Sequence, residues 1–292
     1  MTSLIEQATE RLEQLRRAGA EMPRETPQRV KAPEPTPQRA EAGSVTPARQ
    51  VTINLQFVAA SGIVTPNAPR SQVADQFRVI KRPLISNATG KGASAIANGN
   101  LIMVTSALPG EGKTFTAINL AMSIATELDN TVMLVDADVA RPSVLSMLGL
   151  PAGPGLLDLL VDEQLDVGSV LLKTNIDKLT ILPSGTSHAR ATELLASDAM
   201  ARLLESMAKR YADRIIVFDS PPLLLTTESR VLASHMGQIV VVVQAEKTLQ
   251  ADVEQALVTI EACPVKLMVL NQARTGAKDG YGYGYGYGYE HV

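Results

Sequence analysis

Apolar and polar positions form a regular rhythm along the chain from residue 101 onward. Short apolar runs, rich in β-branched residues, alternate there with longer stretches of helical period. The runs LIMVTS, TVMLVDAD, LTILPSG, RIIVFDS, QIVVVVQ and VKLMVLNQ predict strands. Because hydrophobicity is continuous within them, both faces of each strand are expected to be buried, as in a parallel sheet. The repetition predicts a doubly wound α/β domain, in which ligands bind at the carboxyl ends of the strands.

Helical periodicity fills the segments between these strands. TFTAINLAMSIATEL, ATELLASDAMARLLESMAKRYA and ADVEQALVTIEA predict helices. Upstream, SQVADQFRVIKRP predicts a helix over 71–82, with Ser71 as its N-cap and Pro83 as its stop. VTINLQFV alternates apolar and polar positions from Val51 onward, which predicts a strand or an extended docking segment.

Both ends of the chain differ from this middle part. Residues 1–20 predict a short amphipathic helix, which either packs on its own domain or docks on a partner. Residues 21–50 are Pro-rich and contain TPQR twice, so they predict an extended, disordered linker. We expect a main domain over 51–274 and a flexible Gly/Tyr tail over 275–292, because alternating glycine resists ordering.

Composition narrows the class of protein. A hydrophobic content of 45% is ample for a globular core, and no apolar run approaches the roughly 18 residues of a membrane helix. The N-terminus lacks the apolar region of a signal peptide, and a lone cysteine, Cys263, fits a reducing compartment. Three scattered histidines offer no zinc-ligand spacing. A formal charge of −3 offers no general attraction for nucleic acid, so we expect no nucleic-acid partner. Taken together, these features predict a cytoplasmic protein.

A phosphate-binding loop follows the first strand of this strand–helix alternation. ALPGEGKT, residues 107–114, lies between the strand LIMVTS and a predicted helix. Gly110 and Gly112 allow backbone N–H groups to turn towards phosphate oxygens, and the helix beginning near Lys113 adds its N-terminal partial charge. Lys113 would span the β- and γ-phosphates, and the hydroxyl of Thr114 would ligate Mg²⁺. The sequence therefore predicts a nucleotide site.

Carboxylates follow two further strands. Asp136 and Asp138 lie at the end of TVMLVDAD, and Asp219 lies next to the last residue of RIIVFDS. A single such aspartate could simply cap the next helix, but three at strand ends favour a metal–phosphate centre. Asp136 or Asp138 could also deprotonate an attacking hydroxyl, and spacing alone does not divide the two roles. Arg141 is either a phosphate clamp or an ordinary surface arginine.

Together these motifs resemble the bacterial tyrosine kinases, a branch of the P-loop NTPases with a MinD/ParA-like, Rossmann-type fold. ALPGEGKT resembles their Walker A motif, VMLVDADVARP their Walker A′ motif and IIVFDSPP their Walker B motif. The resemblance implies ATP and Mg²⁺ as cofactors. It assigns nucleotide binding to Gly110, Glu111, Gly112, Lys113, Thr114, Phe115 and Asn271, the last from the short motif VLNQAR. It assigns Mg²⁺ binding to Thr114, Asp136, Asp138 and Asp219, and catalysis to Lys113, Asp136 and Asp138.

The tail strengthens this resemblance. Five of the six tyrosines lie in it at alternating positions, like the C-terminal tyrosine cluster that the family autophosphorylates. The expected phosphoacceptors are Tyr281, Tyr283, Tyr285, Tyr287 and Tyr289. MinD and ParA carry an additional lysine where this chain has Leu108, which favours the kinase over a positioning ATPase. An ATP-switched scaffold that transfers no phosphate remains the alternative.

The resemblance also implies partners. The family's E-x-x-R-x-x-R helix docks on a neighbouring subunit in a ring, and this chain offers Asp75, Arg78 and Lys81 at that spacing, with Arg82 adjacent. Residues three apart share a helix face, so these charges predict one interfacial patch, although Lys cannot reproduce the two-pronged hydrogen bonding of Arg. We expect a homo-oligomer, for which a ring is one arrangement. We also expect phosphate transfer from one subunit to the tail of another.

Further partners follow from the same resemblance. A separate, membrane-embedded polysaccharide chain-length regulator would hold the protein at the inner face of the cell membrane and activate it. A tyrosine phosphatase would reverse the reaction. The expected role is control of exopolysaccharide polymerisation or export.

Overall fold

The computed structural model describes residues 49–66, 71–92 and 94–274, together with Gln14. The predicted N-terminal helix, the linker up to residue 48 and the Gly/Tyr tail otherwise lie outside the described residues. Within the described part, every helix is too short or too polar to cross a membrane.

A twisted sheet of eight strands, counted over the described residues, forms the centre of the domain. Its spatial order is β1-β4-β5-β3-β6-β2-β7-β8, and all neighbours are parallel except the antiparallel pair β4–β5. The strands are β1 Arg49–Gln50, β2 Leu101–Ser106, β3 Thr131–Asp136, β4 Leu172–Lys173, β5 Leu179–Leu182, β6 Arg214–Asp219, β7 Gln238–Gln244 and β8 Val265–Asn271. All six predicted strands are present, which confirms the predicted mostly parallel sheet.

Helices connect the strands and cover both faces of the sheet. They are α1 Leu55–Ala60, α2 Gln72–Ala88, α3 Lys113–Ala125, α4 Val144–Met147, α5 Leu156–Val161, α6 Val167–Val170, α7 Ala191–Leu195, α8 Asp198–Arg210, α9 Glu228–Ser234 and α10 Gln250–Thr259. The single helix expected from residue 191 is divided into α7 and α8. Ser197 separates them, because its hydroxyl accepts the N–H of Met200 at 3.3 Å and so caps α8.

Two apolar clusters lie on opposite faces of the sheet. Side chains alternate along each strand, so Ile102 belongs to one cluster and Met103 to the other, and both are fully buried. The first cluster contains α3, which is buried along almost its whole length beneath α1 and α2. The second packs α5, α8, α9 and α10 on the other face. This three-layer arrangement confirms the doubly wound fold.

The segment from Val51 onward is not the predicted strand. Only Arg49 and Gln50 form a strand, and α1 begins at Leu55. Asn54 is the physical reason, because its side-chain oxygen accepts the N–H groups of Gln56 and Phe57, each at 3.1 Å, and starts a helix. A local cap therefore overrides an alternating pattern.

Pro83 does not end α2, in contrast to the prediction. The helix continues through it to Ala88. A proline inside a helix costs about 3 kcal/mol because it removes a hydrogen bond and crowds the preceding turn. Leu84 is fully buried and Lys81 is buried beside it, so packing on both sides of Pro83 offsets that cost.

Parallel strands bring the predicted chemistry to one edge of the sheet. The carboxyl ends of β2, β3, β6 and β8 all face this edge, since these strands are parallel. Asp136 and Asp219 are direct partners in the register between β3 and β6. Neighbouring strands lie about 4.8 Å apart, so two carboxylates that are 83 positions apart in sequence numbering (219 − 136) become neighbours.

Candidate active site

The loop between β2 and α3 has the backbone geometry of an anion site. Gly110 and Gly112 adopt left-handed conformations, with φ of 85° and 94°. Other residues rarely adopt such angles, which explains glycine at both positions. Gly112 is the N-cap of the 13-residue helix α3 and supplies no side chain to cover its first N–H groups. These N–H groups, with the helix dipole, are available for phosphate oxygens.

Glu111 lies within this loop, but its carboxylate points into the protein. The side chain is buried, and its oxygens accept the N–H of Leu108 at 2.6 Å and that of Gln244 at 3.4 Å. The hydroxyl of Thr248 donates a further, short hydrogen bond. The carboxylate of Glu111 therefore ties the loop to the segment after β7, and only its backbone is placed to meet a nucleotide.

Asn271, at the end of β8, contacts the same loop. Its Nδ2 donates to the carbonyl oxygen of Glu111 at 2.8 Å, and the amide of Gln272 reaches the carbonyl of Gly110 at 3.4 Å. A Cβ added to Gly112 would lie 2.1 Å from Asn271 Nδ2, a second reason for glycine there. Asn271 and Gln272 also line, with the half-buried Phe115, a cavity of about 560 Å³.

Lys113 and Asp138 form an ion pair at the centre of the site. Lys113 Nζ lies 2.5 Å from Asp138 Oδ2, and both side chains are almost buried. Asp138 Oδ1 accepts the backbone N–H of Arg141 at 3.2 Å, which fixes the carboxylate. Arg141 itself is exposed, and it lines the adjoining cleft. The structure thus unites the Walker A lysine with the second aspartate of the A′ motif.

Thr114 and the other two aspartates form a buried polar cluster. The hydroxyl of Thr114 donates to Asp219 Oδ2 at 2.7 Å, and Asp136 Oδ2 accepts the N–H of Val144 at 3.1 Å. Among the described residues, the Oδ1 atoms of Asp136 and Asp219 have no hydrogen-bond partner, although both are buried. Such atoms are costly unless a further group satisfies them.

Burial raises the pKa of both carboxyls, and repulsion from other carboxylates adds to it. The pKa of Asp136 is raised to about 7, first by burial and then by the charge of Asp219. Burial also raises the pKa of Asp219 to about 7, against the opposing effects of Lys113 and Thr114. A cation held by these two carboxylates would offset both the burial and the repulsion.

These residues fit Mg²⁺. The two unpartnered oxygens and the Thr114 hydroxyl are hard oxygen donors. No cluster of three His, Cys, Asp or Glu in the described part of the chain could enclose a metal by itself. Mg²⁺ does not need such a cage, because it commonly retains waters and shares phosphate oxygens.

A cleft of about 440 Å³ opens beside the ion pair. The charged residues of its lining are Lys113, Asp138 and Arg141. Much of the remaining lining is apolar, formed by Pro109, Ala140, Pro221, Pro222 and Leu225. The cleft therefore places a hydrophobic surface next to the lysine and carboxylate.

Sequence reasoning missed three residues of the site. The hydroxyl of Ser143 lies 3.1 Å from that of Thr114, and a serine directly after the A′ motif was an available signal. Gln244 and Thr248 hold Glu111 from more than 130 positions away, and nothing local in the sequence marks them.

The predicted interfacial patch on α2 needs a correction. Asp75 and Arg78 are exposed and paired with each other, and Arg82 is exposed. Lys81 instead turns inward: its ammonium lies 2.7 Å from Glu127 and donates to Ser123 O and to Thr126 Oγ1 at the end of α3. Its side chain is only 3% exposed, so Lys81 does not share the outer face. The tail tyrosines 281–289 lie outside the described residues.

The chain belongs to the AAA domain family, whose model matches residues 99–271. This match spans the P-loop, both aspartate motifs and β8. Fold and site together therefore define a P-loop nucleotide-binding protein.

Within that class the chain is similar to bacterial tyrosine kinases, as predicted. It is 33% identical to the tyrosine-protein kinase ptk of Acinetobacter johnsonii over 60% of this chain and 23% of that protein. It is 29% identical to the tyrosine-protein kinase YwqD of Bacillus subtilis over 70% of this chain and 83% of that protein. It is 34% identical to the succinoglycan biosynthesis transport protein ExoP of Rhizobium meliloti over 66% of this chain and 24% of that protein. The chain thus spans about a quarter of two of these relatives and most of the third.

A solved structure has a similar fold. The chimerical protein CapA2B2 superposes with a TM-score of 0.59 at 26% identity, covering 76% of this chain and 93% of that one.

Proposed function

We propose that this protein is an ATP-dependent tyrosine autokinase that phosphorylates Tyr281, Tyr283, Tyr285, Tyr287 and Tyr289 of its own tail, between subunits. The ion pair between Lys113 and Asp138, which lines a cleft with many apolar residues, is the observation that carries the proposal. It brings a phosphate-binding cation, a proton acceptor and room for an aromatic ring to one place.

The backbone of Gly110, Gly112 and the first turn of α3 binds the phosphates of ATP. Lys113 leaves Asp138 to contact the β- and γ-phosphates, which exchanges one anion for another. The adenine occupies the cavity lined by Phe115 and Asn271, in agreement with the nucleotide role expected for both.

Thr114, Asp136 and Asp219 are the residues that would hold Mg²⁺. When bound, Mg²⁺ neutralises negative charge on the phosphates. In this assignment Asp136 is a metal ligand, because it is the register partner of Asp219 and one of its buried oxygens has no hydrogen-bond partner among the described residues.

Asp138 accepts the proton of the acceptor tyrosine, because it lines the cleft that the phenol enters. A tyrosine has an unperturbed pKa of about 10, so it needs such a base to attack at neutral pH. The phenol oxygen forms a bond to the γ-phosphorus, the bond between that phosphorus and the bridging oxygen breaks, and ADP leaves. Lys113 stabilises the charge that develops on the phosphoryl oxygens.

The biological role follows from the relatives. One of them is named a succinoglycan biosynthesis transport protein, which supports regulation of exopolysaccharide polymerisation or export as the role of this chain. We propose that a membrane-embedded chain-length regulator on a separate polypeptide holds the protein at the inner membrane face. Asp75, Arg78 and Arg82 would contribute to a ring of subunits.

Phosphorylation would disperse such a ring. Each phosphate adds about −1.5 to −2 charges, so five add roughly −8 to −10 to the tail. A tyrosine phosphatase would restore the assembled state.

Intact-mass spectrometry of the full chain with ATP and Mg²⁺ tests the proposal. We expect added phosphate that maps to the tail and is absent from a Lys113→Met variant. Nucleotide hydrolysis with no added phosphate, with or without a membrane partner's cytoplasmic segment, would refute the kinase and favour an ATP-switched scaffold.

A further inference from the structure

We propose that Ser143 is a positioning residue: it fixes the rotation of the Thr114 hydroxyl and leaves one lone pair of that oxygen for Mg²⁺. This inference goes beyond the proposed function, in which Ser143 has no role, and it rests on the assignment of Thr114 as a metal ligand. It concerns the affinity of the site for its metal ion, so it can be tested separately from phosphate transfer.

The single proton of the Thr114 hydroxyl identifies the donor in each of its two contacts. A hydroxyl has one proton to donate and two lone pairs that can accept. Thr114 Oγ1 donates to Asp219 Oδ2 at 2.7 Å, so it has no proton left for the oxygen of Ser143 at 3.1 Å. Ser143 is therefore the donor in that second contact, and it occupies one lone pair of Thr114. The other lone pair stays available for a cation.

The hydroxyl of Ser143 is free to donate because it does not cap its own helix. Ser143 is the N-cap of α4, a position where serine usually accepts a backbone N–H of the helix. Here its side chain makes no such bond, and Asp136 Oδ2 accepts the N–H of Val144 at 3.1 Å instead. Within the described part of the chain, Thr114 is the only hydrogen-bond partner of the Ser143 hydroxyl.

The loop between β3 and α4 contacts two consecutive residues of the phosphate site. Asp138 pairs with Lys113, and Ser143 bonds to the next residue, Thr114. The Thr114 hydroxyl is thus held from two sides, by Asp219 at the end of β6 and by Ser143 before α4. Two bonds fix its rotation where one would leave it free to turn about that bond. Outer contacts of this kind orient metal ligands and set metal affinity.

Binding of Mn²⁺, a paramagnetic substitute for Mg²⁺, tests this role without any turnover. The Kd for Mn²⁺ is measured by electron paramagnetic resonance on the full chain saturated with ADP. Ser143→Ala should raise this Kd about tenfold, as the loss of an outer contact to a metal ligand does. Ser143→Thr retains the hydroxyl and should restore the Kd to within about twofold of the parent value. The Kd for ADP in EDTA should stay unchanged in both variants, whereas a general distortion of the site would raise it.

Ser146→Ala is the matched control, because the hydroxyl of Ser146 donates to the carbonyl of Ser143 at 2.9 Å and does not bond to Thr114. It should leave the Kd for Mn²⁺ unchanged. A double-mutant cycle then asks whether Ser143 acts through Thr114. In a Thr114→Ala background, Ser143→Ala should change the Kd by less than about twofold.

Three results would overturn the positioning role while leaving the metal site in place. They are an unchanged Kd for Mn²⁺ in Ser143→Ala, a parallel loss of ADP binding in EDTA, and an equal rise in Kd when Thr114 is already alanine. The last result would mean that Ser143 does not act through Thr114. Absence of Mn²⁺ binding by the parent protein with ADP would instead refute the metal assignment in the proposed function, and the inference with it.

Discussion

The ammonium of Lys113 lies 2.5 Å from the carboxylate of Asp138, across 25 positions of sequence. Both groups are nearly buried, so their attraction is stronger than it would be in water. In the proposed function, ATP displaces Asp138 from Lys113, and this displacement would free the carboxylate when an acceptor is needed. The pair therefore links nucleotide binding to activation of the proposed base.

Asp138→Asn separates these two roles. The amide no longer competes as an anion for Lys113, so ATP should bind as tightly as in the parent protein or up to about tenfold more tightly. Phosphotransfer should fall at least about 100-fold, because the proton acceptor is lost. Calorimetric titration with ATP and phosphotyrosine mass spectrometry measure the two effects. Full transfer by Asp138→Asn would exclude Asp138 as the base.

Lys81→Met should destabilise the domain. The variant removes a buried ammonium that caps the end of α3 and pairs with Glu127. Since Glu127 is 40% exposed and can be rehydrated, we expect a loss of about 2 kcal/mol in the free energy of unfolding rather than the larger cost of a fully buried pair. Urea denaturation measures it. The exposed neighbour provides the control: Arg82→Met should stay within about 0.5 kcal/mol.

Glu111→Gln should weaken ATP binding without removing any group that touches phosphate. Both carboxylate oxygens accept donors, so an amide turns an N–H towards either Leu108 or Thr248. The loop should then shift, raising the Kd for ATP about tenfold, which corresponds to 1.4 kcal/mol. Thr248→Val removes only the hydroxyl and should give a smaller change in the same direction. Binding that is unaltered in both variants would show that the anchor of Glu111 is dispensable.

Asp158 gives the domain a dependence on acid pH. Burial opposes its ionisation, but Oδ2 accepts the N–H groups of Thr186 at 3.0 Å and Gly155 at 2.7 Å, and the pKa of the carboxyl is held below its usual value. Because the pKa is lowered on folding, this stabilisation is present above the unfolded pKa of about 3.9 and is lost as the pH falls through the folded pKa.

Asp158→Asn should therefore be less stable at pH 7, by about 1 kcal/mol from weakened capping. The difference from the parent protein should shrink below pH 4. Urea denaturation at pH 7, 5 and 3.5 measures it, with the exposed Asp129→Asn as a control that should differ little from the parent at any of these values. A difference that is constant with pH would mean that the charge of Asp158 contributes nothing.

Local signals were sufficient for the parts of the protein that depend on neighbours in sequence. Continuous apolar runs identified the six main strands. Burial on both faces explains this pattern for five of them, but the expectation was wrong for the edge strand β8, where Met268 and Leu270 are exposed. The P-loop was readable for a similar reason: Gly110, Gly112, Lys113 and Thr114 act through a single turn of backbone. The short strands β1 and β4 and the small helices α4 to α6 carry too few residues to show a period, so they were missed.

Tertiary contacts decided the rest. Lys81 has the spacing of a surface charge, and only the position of α3 makes it a buried cap. Glu111 lies in the phosphate loop by sequence, yet its hydrogen-bond partners Gln244 and Thr248 lie more than 130 positions later in the chain. The sequence by itself determined the α/β fold, the phosphate loop and the strand-end aspartates, because these depend on local periodicity and on the parallel order of strands. Only the folded structure decided which carboxylate pairs with Lys113 and which ones bond to Thr114 or Val144. The partners of a buried side chain are its neighbours in space, and distance along the sequence does not reveal them.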